Sequence, residues 1–229
     1  MTATAAGPTD RRAEQVSQST IGLKAVMAIT GLILFGFVFV HLLGNIQVFE
    51  GEEKINHYGE LLRVYPGLLW TIRSILLLAV LLHIWAYIQL GLRKLKARPI
   101  GYVKKKAAGS NIAARTMYWS GPIIALFVVL HIFHFTTGTL AGSTFREGKI
   151  WENMVGAFHS VPIAVAYVIA MILLCGHLYH GLWSWLQSLG INHPRYTPIF
   201  KRVAAAIAVI ICLGFISIPV AIVTGLYPQ

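Results

Sequence analysis

Five long apolar segments constrain the fold of this chain more than any other feature of its sequence. They cover approximately residues 21–49, 66–92, 115–141, 158–189 and 203–227. A transmembrane helix needs about 20 apolar residues, so each segment is long enough to cross a bilayer. Only 12% of the residues are charged, against about 25% in soluble domains. We therefore predict an all-α membrane protein in which residues 19–229 form a single five-span transmembrane domain, after a flexible tail of residues 1–18.

The charges between the spans predict the topology. The second connecting loop, "RKLKARPIGYVKKK" (93–106), has seven Lys or Arg residues and no acid, and the fourth, "INHPRYTPIFKR" (191–202), has three and no acid. The first loop is rich in acids and the third is balanced. Because basic loops stay in the cytoplasm, we expect the N-terminus inside and the C-terminus outside. The positive charge flanks the spans, so it indicates a topology signal or a docking surface for a cytoplasmic partner or anionic lipid, and not nucleic-acid binding.

Six of the nine histidines fall inside the predicted spans. An ionisable group in a bilayer is costly and is a functional candidate by default, although a single histidine can serve as a helix–helix hydrogen-bond partner. Four consecutive spans each carry at least one such residue, which makes packing alone a poor explanation. The six are His41, His83, His131, His134, His177 and His180.

Depth sorts four of these histidines into two layers. His41, His83, His131 and His177 each lie about 16 to 20 residues from the start of their span, at ~1.5 Å per helical residue. Spans one and three run outward, whereas spans two and four run inward. His41 and His131 are therefore expected in the outer half of the membrane, and His83 and His177 in the inner half.

Two facing imidazoles per layer suit a six-coordinate haem iron, because the porphyrin supplies four nitrogens and two histidines complete the axial positions. A closed zinc site would need four protein ligands. His134 and His180 lie one helical turn from His131 and His177. From spacing alone, each could replace its neighbour as a ligand, or donate a hydrogen bond to a haem propionate or a quinone.

Small residues near the histidines give mild support to a bound macrocycle, since they let a flat ring approach a helix, although they also serve ordinary helix packing. These residues are Gly44, Ala79, Ala86 and Gly181.

At this point the sequence resembles a known family, the di-haem cytochrome b (b558-type) anchor subunit of succinate:quinone oxidoreductases, in its five-span form. The resemblance extends from Ile21 to Tyr227. Its motifs are "HLLGN" (41–45), "NHYGELLR" (56–63), "LLHIWAY" (81–87), "ARTMYWSGPIIALFVVLH" (114–131), "TTGT" (136–139) and "HLYHGLWSWLQSLG" (177–190).

The resemblance implies a role for each of the four layered histidines. His41 and His131 would be the axial ligands of an outer haem b, and His83 and His177 those of an inner haem b. The first four helices would then form the haem-binding bundle. Some family members carry a glutamate two residues before the span-four ligand, as a proton route. Cys175 stands there in this chain, so we do not expect that route.

The resemblance also implies a complex in the cytoplasmic (inner) membrane of the cell. A flavoprotein subunit would oxidise succinate to fumarate, and an iron–sulfur subunit would pass the electrons to this chain. Both would dock on its basic cytoplasmic face. The electron acceptor would be a quinone, which in the family is often menaquinone.

Several other polar residues are candidates for contacts with the quinone or the haem propionates. The acid-rich first loop offers quinone-site candidates, for which a solvated interfacial turn is the alternative: Glu60, His57, Tyr58 and Arg63. Near the outer end of span two, Arg73 could bind an outer propionate or extend to the headgroups. Inner-face candidates for an inner propionate or a quinone are Ser19, Lys24 and Arg115.

Three other functions remain open at this level. One is the cytochrome b subunit of another quinone-linked enzyme, such as a hydrogenase or formate dehydrogenase. Another is a non-redox anchor or transporter whose histidines relay protons or bind a metal. The third is a membrane Rieske-type iron–sulfur site, which takes two cysteines and two histidines and would have to use Cys175 and Cys212.

Overall fold

The computed structural model describes residues 19–97 and 112–227. The predicted flexible tail and most of the basic second loop lie outside these residues. Within the described ranges the regular structure is entirely helical. The α-helices are α1 (Thr20–Asn45), α2 (Glu52–Arg63), α3 (Pro66–Lys96), α4 (Ile112–Phe135), α5 (Ile150–Phe158), α6 (Val161–Ser188) and α7 (Thr197–Val223), and two short 3-10 helices cover Ile46–Glu50 and Gly142–Thr144.

Five helices are long and apolar enough to cross a membrane, as the sequence predicts: α1, α3, α4, α6 and α7. The chain is therefore a multi-pass membrane protein. Three predicted boundaries were wrong. The third span ends at Phe135, because Gly138 at φ 70° reverses the chain. The fourth begins at Val161 after a break that separates it from α5, and the fifth begins six residues early at Thr197.

Recognisable signals start the spanning helices. Ser19 caps α1, with its side-chain oxygen accepting a hydrogen bond from the amide of Gly22 at 2.9 Å, which satisfies one of the free N–H groups of the first turn. A proline lies in the first two positions of α3, α6 and α7, where its missing N–H costs nothing and its fixed φ suits a helix.

The helices α1 and α6 are central to the bundle. α1 packs against α3, α6 and α7, while α6 packs against α4 and α7. The buried residues of α3 are Ala79 and Ala86, two turns apart on one face. α3 packs mainly on α1, so these alanines allow close helix packing, which is the second of the two roles considered for them above.

Two surface helices at the same end of the bundle were missed in the sequence. α2 occupies the first connecting loop, and α5 occupies the third. They pack on each other and on the end of α7 around a buried apolar cluster that includes Val48, Ile55 and Phe158. We call α2, α5 and the 3-10 helix Ile46–Glu50 the outer cap, after the side on which the topology prediction places it.

Gly44 also has a packing role that differs from the one suggested for it. A Cβ at this position would lie 2.6 Å from the ring of Tyr58, so the glycine accommodates a tyrosine from the outer cap. Around Gly181 a Cβ would meet nothing within 4 Å among the described residues.

We expect Gly44→Ala to destabilise the protein, because the added methyl group overlaps the Tyr58 ring and overpacking of this kind costs about 1–3 kcal/mol. The control is Gly67→Ala at the start of α3, where a Cβ has no neighbour within 4 Å in the described structure. Thermal unfolding midpoints in detergent measure the difference. A midpoint for Gly44→Ala equal to that of the control would contradict this packing.

Candidate functional site: paired histidines at two levels

The outer pair consists of His41 on α1 and His131 on α4. Their ring centres are 5.8 Å apart and their planes are nearly perpendicular, at 87°. Aromatic rings surround the pair: Phe37 stacks on His41, Phe127 lies against His131, and Phe215 of α7 lies 5.9 Å from His41. The fifth span therefore contributes to the surroundings of this pair, which the prediction of a four-helix site did not include.

The inner pair consists of His83 on α3 and His177 on α6. Their ring centres are 6.4 Å apart with an interplanar angle of 56°. Gly31 of α1 lies beside His83, since a Cβ there would be 3.4 Å from the imidazole. The structure thus brings together the two couples that the depth of the histidines predicts, and each couple joins two different spans.

The spacing of both pairs fits two axial ligands on one iron. A ligating imidazole nitrogen lies roughly 2 Å from its metal, and its ring centre roughly 1.1 Å further, so two axial imidazoles have ring centres roughly 6.3 Å apart. The observed distances are 5.8 and 6.4 Å. Within residues 19–97 and 112–227, no group of three or more His, Cys, Asp or Glu could hold a metal ion. A pair of histidines without further protein ligands suits haem, whose porphyrin provides the other four.

Thr30 fixes the orientation of His83. The Thr30 hydroxyl donates to the carbonyl of Val26 at 2.7 Å and lies 3.0 Å from Nδ1 of His83. A hydroxyl has one proton; when that proton is donated to the carbonyl, the oxygen accepts from His83 in the tautomer that carries its hydrogen on Nδ1. In the neutral ring Nε2 then keeps its lone pair, which is the form that binds a metal.

Tyr167 of α6 has an analogous position at the outer pair. Its hydroxyl lies 3.3 Å from Nδ1 of His131 and 3.1 Å from Nδ1 of His134. Sequence reasoning missed both Thr30 and Tyr167. Each is a polar residue inside an apolar span, which is a signal, but the sequence does not show which histidine such a residue would contact.

In the C-terminal half of α6 several polar atoms are buried without a hydrogen-bond partner in the described structure: Nδ1 of His177, Nδ1 of His180 and Nε1 of Trp183. His180 lies edge-on to Trp183 at 5.6 Å, and the Lys201 ammonium of α7 lies 4.5 Å above the indole. The structure therefore gives His180 an aromatic neighbour, whereas His177 lies beside His83.

The quinone-site candidates of the first loop all lie on α2. His57 and Glu60 are mostly exposed, 3.8 Å apart, and line an open, charged groove with Lys149. Arg63 donates to the carbonyl of Gly59 at 2.8 Å. Tyr58 is half-buried and is the one that packs towards α1, at Gly44.

The other polar candidates lie at the ends of the bundle. Arg73 is exposed and stacks on Trp70 at 5.1 Å, a geometry that suits a guanidinium extended to the headgroups. Ser19 caps α1, and Lys24 and Arg115 are exposed near the starts of α1 and α4.

The cysteines Cys175 and Cys212 contact each other across α6 and α7. The Rieske-type alternative also requires two histidines beside them, and among the described residues no such four-residue group is assembled.

A polar network joins the two helices of the outer cap. Asn56 accepts from the amide of Trp151 at 3.0 Å and donates to Glu152 at 3.4 Å, while Lys149 bridges Glu52 and Glu152 at 3.5 and 3.2 Å. Hydrogen bonding to Glu152, and then its charge, raise the pKa of Lys149. Partial burial raises the pKa of Glu152, but hydrogen bonds from its own amide, Lys149 and Asn56 outweigh it and hold the pKa below its ordinary value.

Comparison with known proteins adds no relative. No protein-family model matches the chain, and neither a curated protein nor a solved structure matches it at a significant level. The function is therefore inferred from the residues and their geometry, together with the motif resemblance described above.

We expect Asn56→Ala to loosen the outer cap, because it leaves the Trp151 amide without its acceptor. An unsatisfied buried donor costs about 1–3 kcal/mol, and Asn56 is only 8% exposed. Lys54→Ala on the exposed face of the same helix is the control, since its ion pair with Glu50 is more than half exposed and such pairs contribute little. Thermal unfolding midpoints that fall equally in both variants would show that Asn56 does not hold α2 to α5.

Proposed function

We propose that this chain is the cytochrome b membrane anchor of a succinate:quinone oxidoreductase, with two non-covalent haems b. The observation that carries the proposal is the pairing of His41 with His131 and of His83 with His177. Each pair has the spacing of two axial ligands, and the donor set is all imidazole. Haem b, when bound, supplies one-electron chemistry, and a bis-histidine iron has no open position for oxygen.

The residues around each pair support ligation in two ways. Thr30 sets the tautomer of His83 so that Nε2 is free, and hydrogen bonding of this kind orients ligating histidines in metal sites generally. Phe37, Phe127 and Phe215 lie against the outer pair, so its immediate surroundings are largely aromatic. Both features suit a site that exchanges electrons and not ligands.

The two pairs lie at different levels of the bundle, according to the depth of their residues along antiparallel spans. In the proposed topology the inner pair is nearer the cytoplasm and the outer pair is nearer the opposite face. This arrangement suits a chain that links a cytoplasmic electron donor to a quinone, of the menaquinone type in the family it resembles. Moving one electron across the full membrane changes its free energy by about 2.3 kcal/mol per 100 mV of membrane potential. Quinone reduction at the outer face would therefore depend on that potential.

The partners in this proposal are a flavoprotein subunit and an iron–sulfur subunit. Basic residues at the proposed cytoplasmic ends of the spans provide their docking surface: the described ones include Lys24, Arg93, Lys94, Lys96 and Arg202. Anionic lipid would bind the rest of this face. The membrane is the cytoplasmic membrane of the cell.

The decisive experiment is a pyridine haemochrome spectrum of the purified complex, with succinate as the reductant. We expect two haems b per chain and reduction of haem by succinate. Haem without succinate-linked reduction would instead indicate the anchor of another quinone-linked enzyme, and no haem would contradict the proposal as a whole.

Single histidine variants test the assignment of ligands. His41→Leu or His131→Leu should remove one haem of the two, and His83→Leu or His177→Leu should remove the other, because a single imidazole holds haem b weakly. His159→Gln, at an exposed turn, is the matched control and should retain both haems. Two haems in all four leucine variants would exclude these histidines as the ligands.

A further inference from the structure

The hydroxyl of Tyr167 is shared by two histidines of the same helix. It lies 3.3 Å from Nδ1 of His131 and 3.1 Å from Nδ1 of His134. We propose that this hydroxyl allows only one of the two to be an iron ligand, and that it makes His131 the ligand and His134 a hydrogen-bond acceptor. The inference rests on the proposed haem-binding function and assigns Tyr167 as a positioning residue of the outer site.

The single proton of a tyrosine hydroxyl produces this exclusivity. A neutral histidine that binds iron through Nε2 carries its hydrogen on Nδ1. If His131 is the ligand, its Nδ1–H donates to the Tyr167 oxygen, and the Tyr167 proton is then free to donate to Nδ1 of His134. His134 must in that case carry its hydrogen on Nε2, which cannot bind a metal. In the opposite arrangement His134 carries its hydrogen on Nδ1 and is the ligand, whereas His131 carries its hydrogen on Nε2 and cannot bind the iron.

Ring positions decide between the two arrangements. His131 faces His41 at 5.8 Å, which is the partner that an axial ligand needs. His134 lies against Phe135 at 4.3 Å, and among the described residues its ring contacts are with Phe135 and Tyr167. The chain of hydrogen bonds therefore runs from His131 through Tyr167 to His134.

An aromatic cluster holds the Tyr167 ring in place. Phe127 and Phe158 each meet it edge-on with ring centres 5.0 Å away, and Phe135 lies at 5.7 Å. Phe158 belongs to α5, so the outer cap helps to position the hydroxyl. This packing leaves the hydroxyl little freedom to choose another partner, which makes the tautomer of His131 a consequence of the fold.

The hydrogen bond should also tune the iron. Donation from Nδ1–H makes the imidazole a stronger base, which stabilises the ferric state relative to the ferrous state and lowers the reduction potential. Substitution of a residue that hydrogen-bonds to a metal-ligating histidine commonly changes the metal affinity about tenfold or more. A tenfold change in the ratio of ferric to ferrous affinity equals about 59 mV in a one-electron couple.

The test is a potentiometric titration of the haems in the purified complex, for wild type and Tyr167→Phe. We expect the outer haem potential to rise by about 59 mV and the inner haem potential to stay unchanged. Thr30→Val is the reciprocal control: it removes the hydroxyl beside Nδ1 of His83 and should raise only the inner potential. A Tyr167→Phe complex that keeps two haems at unchanged potentials would overturn the inference.

Histidine variants test the choice of ligand independently of Tyr167. His134→Leu should retain two low-spin haems, whereas His131→Leu should lose the outer one, as measured by haem stoichiometry and ferric spin state. Loss of the outer haem in His134→Leu, with retention in His131→Leu, would show that the opposite tautomers are used.

A double-mutant cycle tests the coupling. Because His134 acts through the hydroxyl, Tyr167→Phe combined with His134→Leu should shift the outer potential no further than Tyr167→Phe alone. Fully additive shifts would contradict a shared hydrogen bond. Absence of haem from the wild-type complex would refute the proposed function instead, so the two failures are distinguishable.

Discussion

The structure depends on the cost of placing an imidazole in a membrane. A polar ring in hydrocarbon has to find a hydrogen-bond partner or a metal, and this chain has six of them in its predicted spans. Four meet as two couples across different helices, His41 with His131 and His83 with His177. Each couple joins helices that are not main packing neighbours, since α1 packs mainly on α3 and α4 packs mainly on α6.

The two couples share a further asymmetry. In each, one imidazole has a side-chain hydrogen bond at Nδ1, His83 to Thr30 and His131 to Tyr167. The other members, His41 and His177, have no such side-chain bond among the described residues, and Nδ1 of His177 is buried without a partner. One histidine of each pair is thus positioned by a protein side chain, while in the proposed site the other would be positioned by the iron.

The five spans could be predicted from the sequence, since span length is a property of local composition. The five spans and the couples of histidines depend on counting residues along rigid helices, and the structure agrees with both. The outer cap could not be predicted in this way: α2 and α5 are short and polar on one side, and their position depends on Asn56, Gly59 and other contacts between distant segments. The packing role of Gly44 could not be predicted either, because its partner Tyr58 comes from the next helix.

The residues that hydrogen-bond to the paired histidines could not be predicted from the sequence either. A threonine in span one and a tyrosine in span four have no evident partner in the sequence. Only the packed bundle shows that Thr30 lies beside His83 and that Tyr167 lies between His131 and His134. The roles of the exposed residues Glu60, His57 and Arg73 remain predictions, because their partners in this proposal, quinone and propionate, are not part of the chain.

The central claim is that each histidine couple binds one iron. Anomalous diffraction at the iron absorption edge, measured from crystals of the complex, tests this claim most directly. The account predicts two iron peaks in the membrane domain, one between His41 and His131 and one between His83 and His177, each roughly 2 Å from the Nε2 atoms. Iron bound by other side chains of this chain, or the absence of iron from either couple, would contradict it.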